Sequence, residues 1–203
     1  LNMRDQQPAF HWWGGATRSR SVSGTVHVGA LDVPAPPARL AADWEREIAT
    51  RLFLEPGDVE PLPLARARMR WPDFARAVQA MADWLAALGM PGVLDDGGHA
   101  HLALMVCRGA RYHHDAEQYG SGVFCNLFVS EDKGLDVHFP GLDLRVPLAR
   151  GTALVFDTAQ PHAVVRRGSS GFDAAHFAAG CDVTQCFLTW ELPVANPAVA
   201  RAM

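Results

Sequence analysis

The sequence predicts an α+β protein: a double-stranded β-helix, or jelly roll, with N-terminal helices packed on one of its two sheets. Two amphipathic helical patterns lie before residue 90, four near-continuous apolar runs follow residue 100, and one segment among them alternates strictly. Continuous apolar runs are expected of strands covered on both faces, and alternation of a strand with one wet face. Helices laid over only one sheet account for both kinds of strand at once.

Residues 1–38 read as an N-terminal arm. They carry Gly14-Gly15, a Ser/Arg cluster at 17–23 and Pro34-Ala35-Pro36-Pro37, with one strand predicted at Thr25-Val26-His27-Val28. The pair Trp12-Trp13 is expected to anchor the arm as buried aromatics, a substrate-side lid being the other use. Residues 39–203 read as a single domain, with a helical buttress over 39–90 and the jelly-roll core over about 100–193.

In the buttress, Leu40, Trp44, Ile48 and Leu52 recur every four residues, one apolar stripe of a helix, and a Pro-rich break follows at 56–63. A second helix is predicted from near Pro72, with Asp73 in its first turn and Phe74, Val78, Met81, Leu85 and Leu88 on one face, ending at Gly89. Two such helices must cover something apolar. The runs His101–Cys107, Val123–Val129, Thr152–Phe156 and Cys186–Leu192 supply it. In the alternating segment, Leu142, Leu144, Val146 and Leu148 face one way and Asp143 and Arg145 the other.

The chain has 203 residues, 49% hydrophobic and 20% charged, as expected of a globular protein long enough to bury a substantial core. A formal charge of −4 gives no bulk attraction to nucleic acid or anionic membrane. No stretch approaches the roughly 18 apolar residues of a membrane span, and the first residues lack the apolar core of a secretory signal. The four cysteines, Cys107, Cys125, Cys181 and Cys186, form no Cys-x-x-Cys pair and lie in or beside apolar runs. Reduced thiols and a cytoplasmic location are therefore expected.

Chemistry enters with His113-His114-Asp115, followed 47 residues later (162 − 115) by His162 in Gln160-Pro161-His162-Ala163-Val164. Two histidines and one carboxylate make the facial triad that holds one divalent iron and leaves other positions open to oxygen and substrate. On a strand, His113 and Asp115 would project to the same side and His114 to the other, which fits second-shell or surface use of His114. The third ligand would come from a neighbouring strand after a return through several strands.

At this point residues from about 101 to 192, less than half of the chain, resemble the iron(II)- and 2-oxoglutarate-dependent oxygenases. The resemblance is carried by His113-x-Asp115, by Gly134-Leu135-Asp136-Val137-His138-Phe139-Pro140, by Gly151-Thr152-Ala153-Leu154-Val155-Phe156-Asp157 and by Pro161-His162-Ala163-Val164. It implies that His113, Asp115 and His162 ligate Fe(II), that 2-oxoglutarate is cosubstrate, and that no catalytic residue beyond the ligands is needed. Asp115 distinguishes the site from the related halogenases, which leave that corner for chloride. The implied activity is dioxygenase oxidation of a C–H bond, by hydroxylation, desaturation or oxidative demethylation, in a small-molecule or peptide substrate.

The chain departs from the family at the cosubstrate anchor. Many relatives have arginine on the last strand, in a run like Arg-x-Ser-Leu-Thr-Phe, where this chain has Gln185-Cys186-Phe187-Leu188-Thr189-Trp190. A neutral amide donates hydrogen bonds without the charge-assisted pair that an arginine makes. Lys133, the only lysine, sits in a turn composition. Arg166 shares the face of His162 and is the candidate anchor, its alternatives being a salt bridge with Asp136 or Asp157 and exposure at the strand end. Arg108 and Arg111 are reserves, and Arg145 is expected to face water. Asn126, polar within an apolar run, is expected to touch the cosubstrate or to satisfy backbone. His138 and His176 are weaker candidates. The stretch Gly168–Phe177 reads as a lid or as a passive excursion.

Two rival readings remain: a cupin-like metal oxygenase that does not use 2-oxoglutarate, favoured by Gln185, and a non-catalytic jelly-roll binding module. A nucleic-acid substrate is disfavoured by the acidic balance.

Overall fold

A computed structural model describes residues 7–13, 16–94, 102–120, 122–178 and 180–203; of 7–13 and 16–20 it describes the backbone alone. In chain order the elements are β1 (Gln7–Trp13), β2 (Ala16–Val22), β3 (Val26–Ala30), α1 (Ala38–Glu47), β4 (Val59–Leu62), α2 (Leu64–Arg70), α3 (Phe74–Ala87) and β5 (Leu102–Cys107). They continue with β6 (Ala110–His113), α4 (Ala116–Tyr119), β7 (Gly122–Phe128), β8 (Leu135–Phe139), β9 (Leu144–Pro147), β10 (Thr152–Asp157), β11 (His162–Arg166), β12 (Gln185–Pro193) and α5 (Pro197–Ala202).

Antiparallel pairing builds a six-stranded sheet in the order β3-β10-β7-β12-β5-β4 and a four-stranded sheet in the order β6-β11-β8-β9, beside the hairpin β1-β2. The fold is thus mixed helix and antiparallel sheet. All four apolar runs became strands of the six-stranded sheet, and their two faces have different neighbours. Val123, Cys125 and Leu127 of β7 and Leu188, Trp190 and Leu192 of β12 share one core with Leu40 and Trp44 of α1 and Phe74, Ala77, Met81 and Leu85 of α3. Burying side chains such as Met81 and Leu85, both without exposed surface, contributes roughly 1.5–3 kcal/mol each. The residues between them point the other way, and Phe128, Phe156 and Phe187 meet Leu135, Val137, Phe139 and Val164 of the four-stranded sheet in a second core.

Several local expectations are revised. The predicted strand at 25–28 is β3, paired with β10 at the sheet edge, so the later part of the arm belongs to the sheet. The side chains of Trp12 and Trp13, and all of His101, lie outside the described residues. The helix begun by α1 continues as a wider turn over Ile48–Leu52 and stops at Phe53, whose φ is 48°. The Pro-rich break contains β4, with Pro61 tolerated because this strand is an edge, and α2 follows it. The alternating segment is shorter than its pattern: Pro140–Leu142 form a 3₁₀ turn, Asp143 is left-handed at φ 48°, and the strand begins at Leu144. Gly151, at φ 87°, starts β10 where a Cβ would run into the Leu31 carbonyl.

Candidate metal centre

His113 ends β6 and His162 begins β11, and the two are cross-strand partners. The next partners are Val164 and Ala110, so β6 spends one extra residue against β11. Such a bulge bends and twists a strand locally, and here it lies directly beside His113. Asp115 is not on the strand. It precedes α4 at φ −108°, and its N–H donates to the Thr158 carbonyl at 2.7 Å. The pair His113 and Asp115 therefore faces one point because the chain turns into a short helix, not through the alternation of a single strand.

The three side chains converge. One ligand atom from each of His113, Asp115 and His162 lies within 4.8 Å of the others. Nε2 of His113 and Nε2 of His162 each stand 3.8 Å from an Asp115 carboxylate oxygen, and the imidazole centroids are 4.4 Å apart. The other ring nitrogens fix the tautomers. His113 Nδ1 bonds the Arg111 carbonyl at 2.6 Å and His162 Nδ1 bonds the Gln160 carbonyl at 2.9 Å. A carbonyl only accepts, so Nδ1 carries the hydrogen in both rings and each Nε2 turns a lone pair to the shared point. Burial, reinforced by nearby His113, lowers His162 to about 3 and keeps its ring neutral. Burial raises the Asp115 carboxyl, with His113 and His114 opposing. A cation at the shared point offsets the cost of holding that carboxylate in a low-dielectric pocket.

The triad opens on a chamber of about 630 Å³ between the sheets. Its wall on the six-stranded sheet is organised in rungs. Phe156, Phe124 and Glu191 are cross-strand neighbours on β10, β7 and β12, and the Phe156 ring lies 4.9 Å from that of His162. The next rung includes Asn126 and Thr189, and the one after it Phe128 and Phe187, with rings 5.1 Å apart. Asn126 is 9% exposed and its Oδ1 has no partner among the described residues. Gln118 and Tyr119 of α4 complete the metal-side lining. No lysine or arginine lines the chamber among the described residues.

Of the residues proposed for the cosubstrate, only Asn126 reaches this chamber. Gln185 is fully buried outside it, its Nε2 donating to the Glu131 carbonyl at 3.1 Å. Arg166 shares the face of His162, but it ends β11 exposed and lines a separate surface depression with Ser169 and Phe172. The salt bridge considered for Arg166 is made by Arg167, whose Nε lies 2.9 Å from Asp136 and which also binds Asp132. Lys133 pairs with Asp182, Arg111 lies 3.8 Å from Asp58, and Arg108 donates to the Ala178 carbonyl at 2.6 Å. His114 is exposed, and His138 accepts or donates a 2.6 Å bond with the Tyr112 hydroxyl. The stretch Gly168–Phe177 contributes nothing to the chamber lining; Phe177 is buried in the second core.

Sequence reading missed Tyr119, Gln118 and Glu191. The first two lie on a helix of four residues, too short for a periodic signal. Glu191 had one: a charged residue alternating with Trp190 and Leu192 inside an apolar run.

No family model matches the chain, and no curated protein matches its sequence. Solved structures do resemble it. A prolyl-4-hydroxylase of Pseudomonas putida is 18% identical at a TM-score of 0.45, over 83% of this chain and 92% of that one. A viral collagen prolyl hydroxylase from Paramecium bursaria Chlorella virus-1, solved as its 2OG complex, is 11% identical at 0.42, over 84% and 98%. An oxidoreductase of the 2OG-Fe(II) oxygenase family from Burkholderia pseudomallei is 15% identical at 0.32, over 93% and 73%. The neighbours are thus prolyl hydroxylases and a 2OG-Fe(II) oxygenase. At these identities and TM-scores, function has to be read from the site itself.

Proposed function

We propose that the protein is an iron(II)- and 2-oxoglutarate-dependent dioxygenase that hydroxylates or otherwise oxidises a C–H bond of a small molecule or peptide side chain. The observation that carries this is the convergence of His113, Asp115 and His162 on one point, with both imidazoles held as Nε2 ligands at the wall of a chamber. Two neutral nitrogens and one carboxylate oxygen suit Fe(II) and leave coordination positions open. When bound, the iron supplies the activation of dioxygen, the chemistry that no side chain here performs.

The residues present also suit a neutral mode of holding 2-oxoglutarate. The buried Asn126 amide has an oxygen without a partner among the described residues and shares a rung with Thr189. An amide and a hydroxyl can both donate to a carboxylate, without the charge assistance of an arginine. The fold reading that goes with this function is a double-stranded β-helix with its core over about residues 100–193, joined at one edge by β3, and the helices of 39–90 on one sheet. The buried free thiols of Cys107, Cys125 and Cys186 suit a reducing compartment such as the cytoplasm.

Anaerobic addition of iron(II) and 2-oxoglutarate is expected to give the weak visible charge-transfer band of the chelate, absent in His162→Ala. No band in the native protein with iron bound would remove 2-oxoglutarate from the account. The second reading, a metal oxygenase without 2-oxoglutarate, is favoured by a chamber that no lysine or arginine lines among the described residues and by Gln185 lying outside it. Oxygen uptake without succinate formation distinguishes it.

A further inference from the structure

The charges around the chamber are one-sided. Two carboxylates line it, Asp115 and Glu191, against no lysine or arginine among the described residues. Asp115 belongs to the triad. Glu191 does not, and its carboxylate makes no ion pair or hydrogen bond among the described residues. Its place is defined by the sheet register: it stands beside Phe124, on the rung whose Phe156 ring lies against His162. It is therefore level with the metal centre. Glu191 Oε1 also lies close over Gly122, 3.3 Å from where a Cβ would stand.

Two aromatic rings accompany this carboxylate. Tyr119 packs edge-on against Phe124 with centroids 4.8 Å apart at 71°, and its hydroxyl accepts from Gln118 Nε2 at 3.1 Å. Aromatic faces attract cations through their quadrupoles, and an adjacent carboxylate adds a full charge to that attraction. A dicarboxylate cosubstrate bound at the metal offsets the two positive charges of Fe(II), so the two wall carboxylates remain without a counter-charge among the described residues.

We propose that the substrate oxidised here is an organic cation, a molecule bearing an ammonium or guanidinium group, held by Glu191 against Tyr119 and Phe124. This rests on the oxygenase reading for the word substrate; the cation site itself stands on the chamber geometry. The cationic group supplies the counter-charge that the walls lack, and its body lies toward the metal.

The test uses the full chain loaded anaerobically with iron(II) and 2-oxoglutarate, so that the cosubstrate occupies the metal, and three probes with one aromatic body: benzyltrimethylammonium, benzylamine and benzyl alcohol. Binding is read by calorimetry and by ligand-observed NMR. The two cations are expected to bind about tenfold or more tighter than the alcohol. That preference is expected to shrink at high salt, to be lost in Glu191→Gln, and to be retained in Glu191→Asp, with melting curves confirming that both variants fold. Equal binding of cation and alcohol by the native protein overturns the proposal. So does a preference that survives Glu191→Gln. The iron and 2-oxoglutarate band of the same native sample separates the two readings: a band without cation preference leaves the oxygenase and removes the cation site, and cation preference without a band does the reverse.

Discussion

The Asp115 N–H donates to the Thr158 carbonyl at 2.7 Å, which ties the carboxylate of the triad to the turn that delivers its second histidine. The same turn is held from the other side. Gln160 Nε2 donates to the Ser23 carbonyl at 2.7 Å, and the Ser23 N–H donates to Asp157 at 2.9 Å. Val22, Ala116 and Ala159 pack together between these bonds. The metal centre is thus braced by the segment that closes the N-terminal hairpin.

Gln160→Ala removes the bond to Ser23 while leaving the backbone carbonyl that accepts from His162. Iron affinity is expected to fall about tenfold, in the range found for groups that orient ligands. Competition with a colorimetric chelator measures it, and an unchanged affinity would mean that the brace is irrelevant to the ligand geometry.

Asn126→Leu removes an amide whose oxygen has no partner among the described residues. Stability is expected to hold or rise slightly, since no bond between described residues is lost, while the affinity for 2-oxoglutarate drops by about tenfold, as for one hydrogen bond to a charged group. Titration of the chelate band reads the affinity and urea unfolding reads the stability. An unchanged titration would place the cosubstrate elsewhere.

Arg166→Ala and Arg167→Ala separate two neighbouring cations. Arg166 is exposed outside the chamber, so its removal is expected to leave cosubstrate affinity unchanged. Arg167 covers Asp136, whose side chain is 6% exposed. Its removal leaves that carboxylate buried without its partner, at a cost on the order of 2 kcal/mol. Denaturant midpoints of the two variants give the comparison.

Cysteine labelling offers a check on burial. Cys181 is the exposed thiol, whereas burial pushes Cys107 and Cys186 up to about 12 and raises Cys125 as well. Since the thiolate is the reactive form, iodoacetamide is expected to modify Cys181 alone in the native state and all four cysteines in urea, as mass spectrometry of the intact chain would report. Modification of a second cysteine before unfolding would contradict the packing of the six-stranded sheet.

Much of the site was legible because the decisive signals were residue types with few structural uses together. Two histidines and an aspartate at that spacing indicated a metal, and the apolar runs indicated strands covered on both faces. The anchor was not legible. Alternation states which face Arg166 takes but not how far along the strand the chamber extends, and β11 leaves it before Arg166. Which of two adjacent arginines covers Asp136 likewise depends on the outer surface of the sheet. Asp115 was assigned to the right point for the wrong reason, since a bulge in β6 and a helix of four residues lie below the resolution of a periodicity argument.

Local preference and hydrophobic period are properties of short stretches, and they determined the helix stripes, the strand faces and the ligand types in this chain. Distance between remote stretches is a property of the packed sheets. Only the folded chain could set His162 beside His113, put Glu191 level with the metal centre and, among the described residues, leave the Asn126 oxygen without a partner and the chamber wall without arginine, because cross-strand register joins residues whose separation in sequence carries no trace of it.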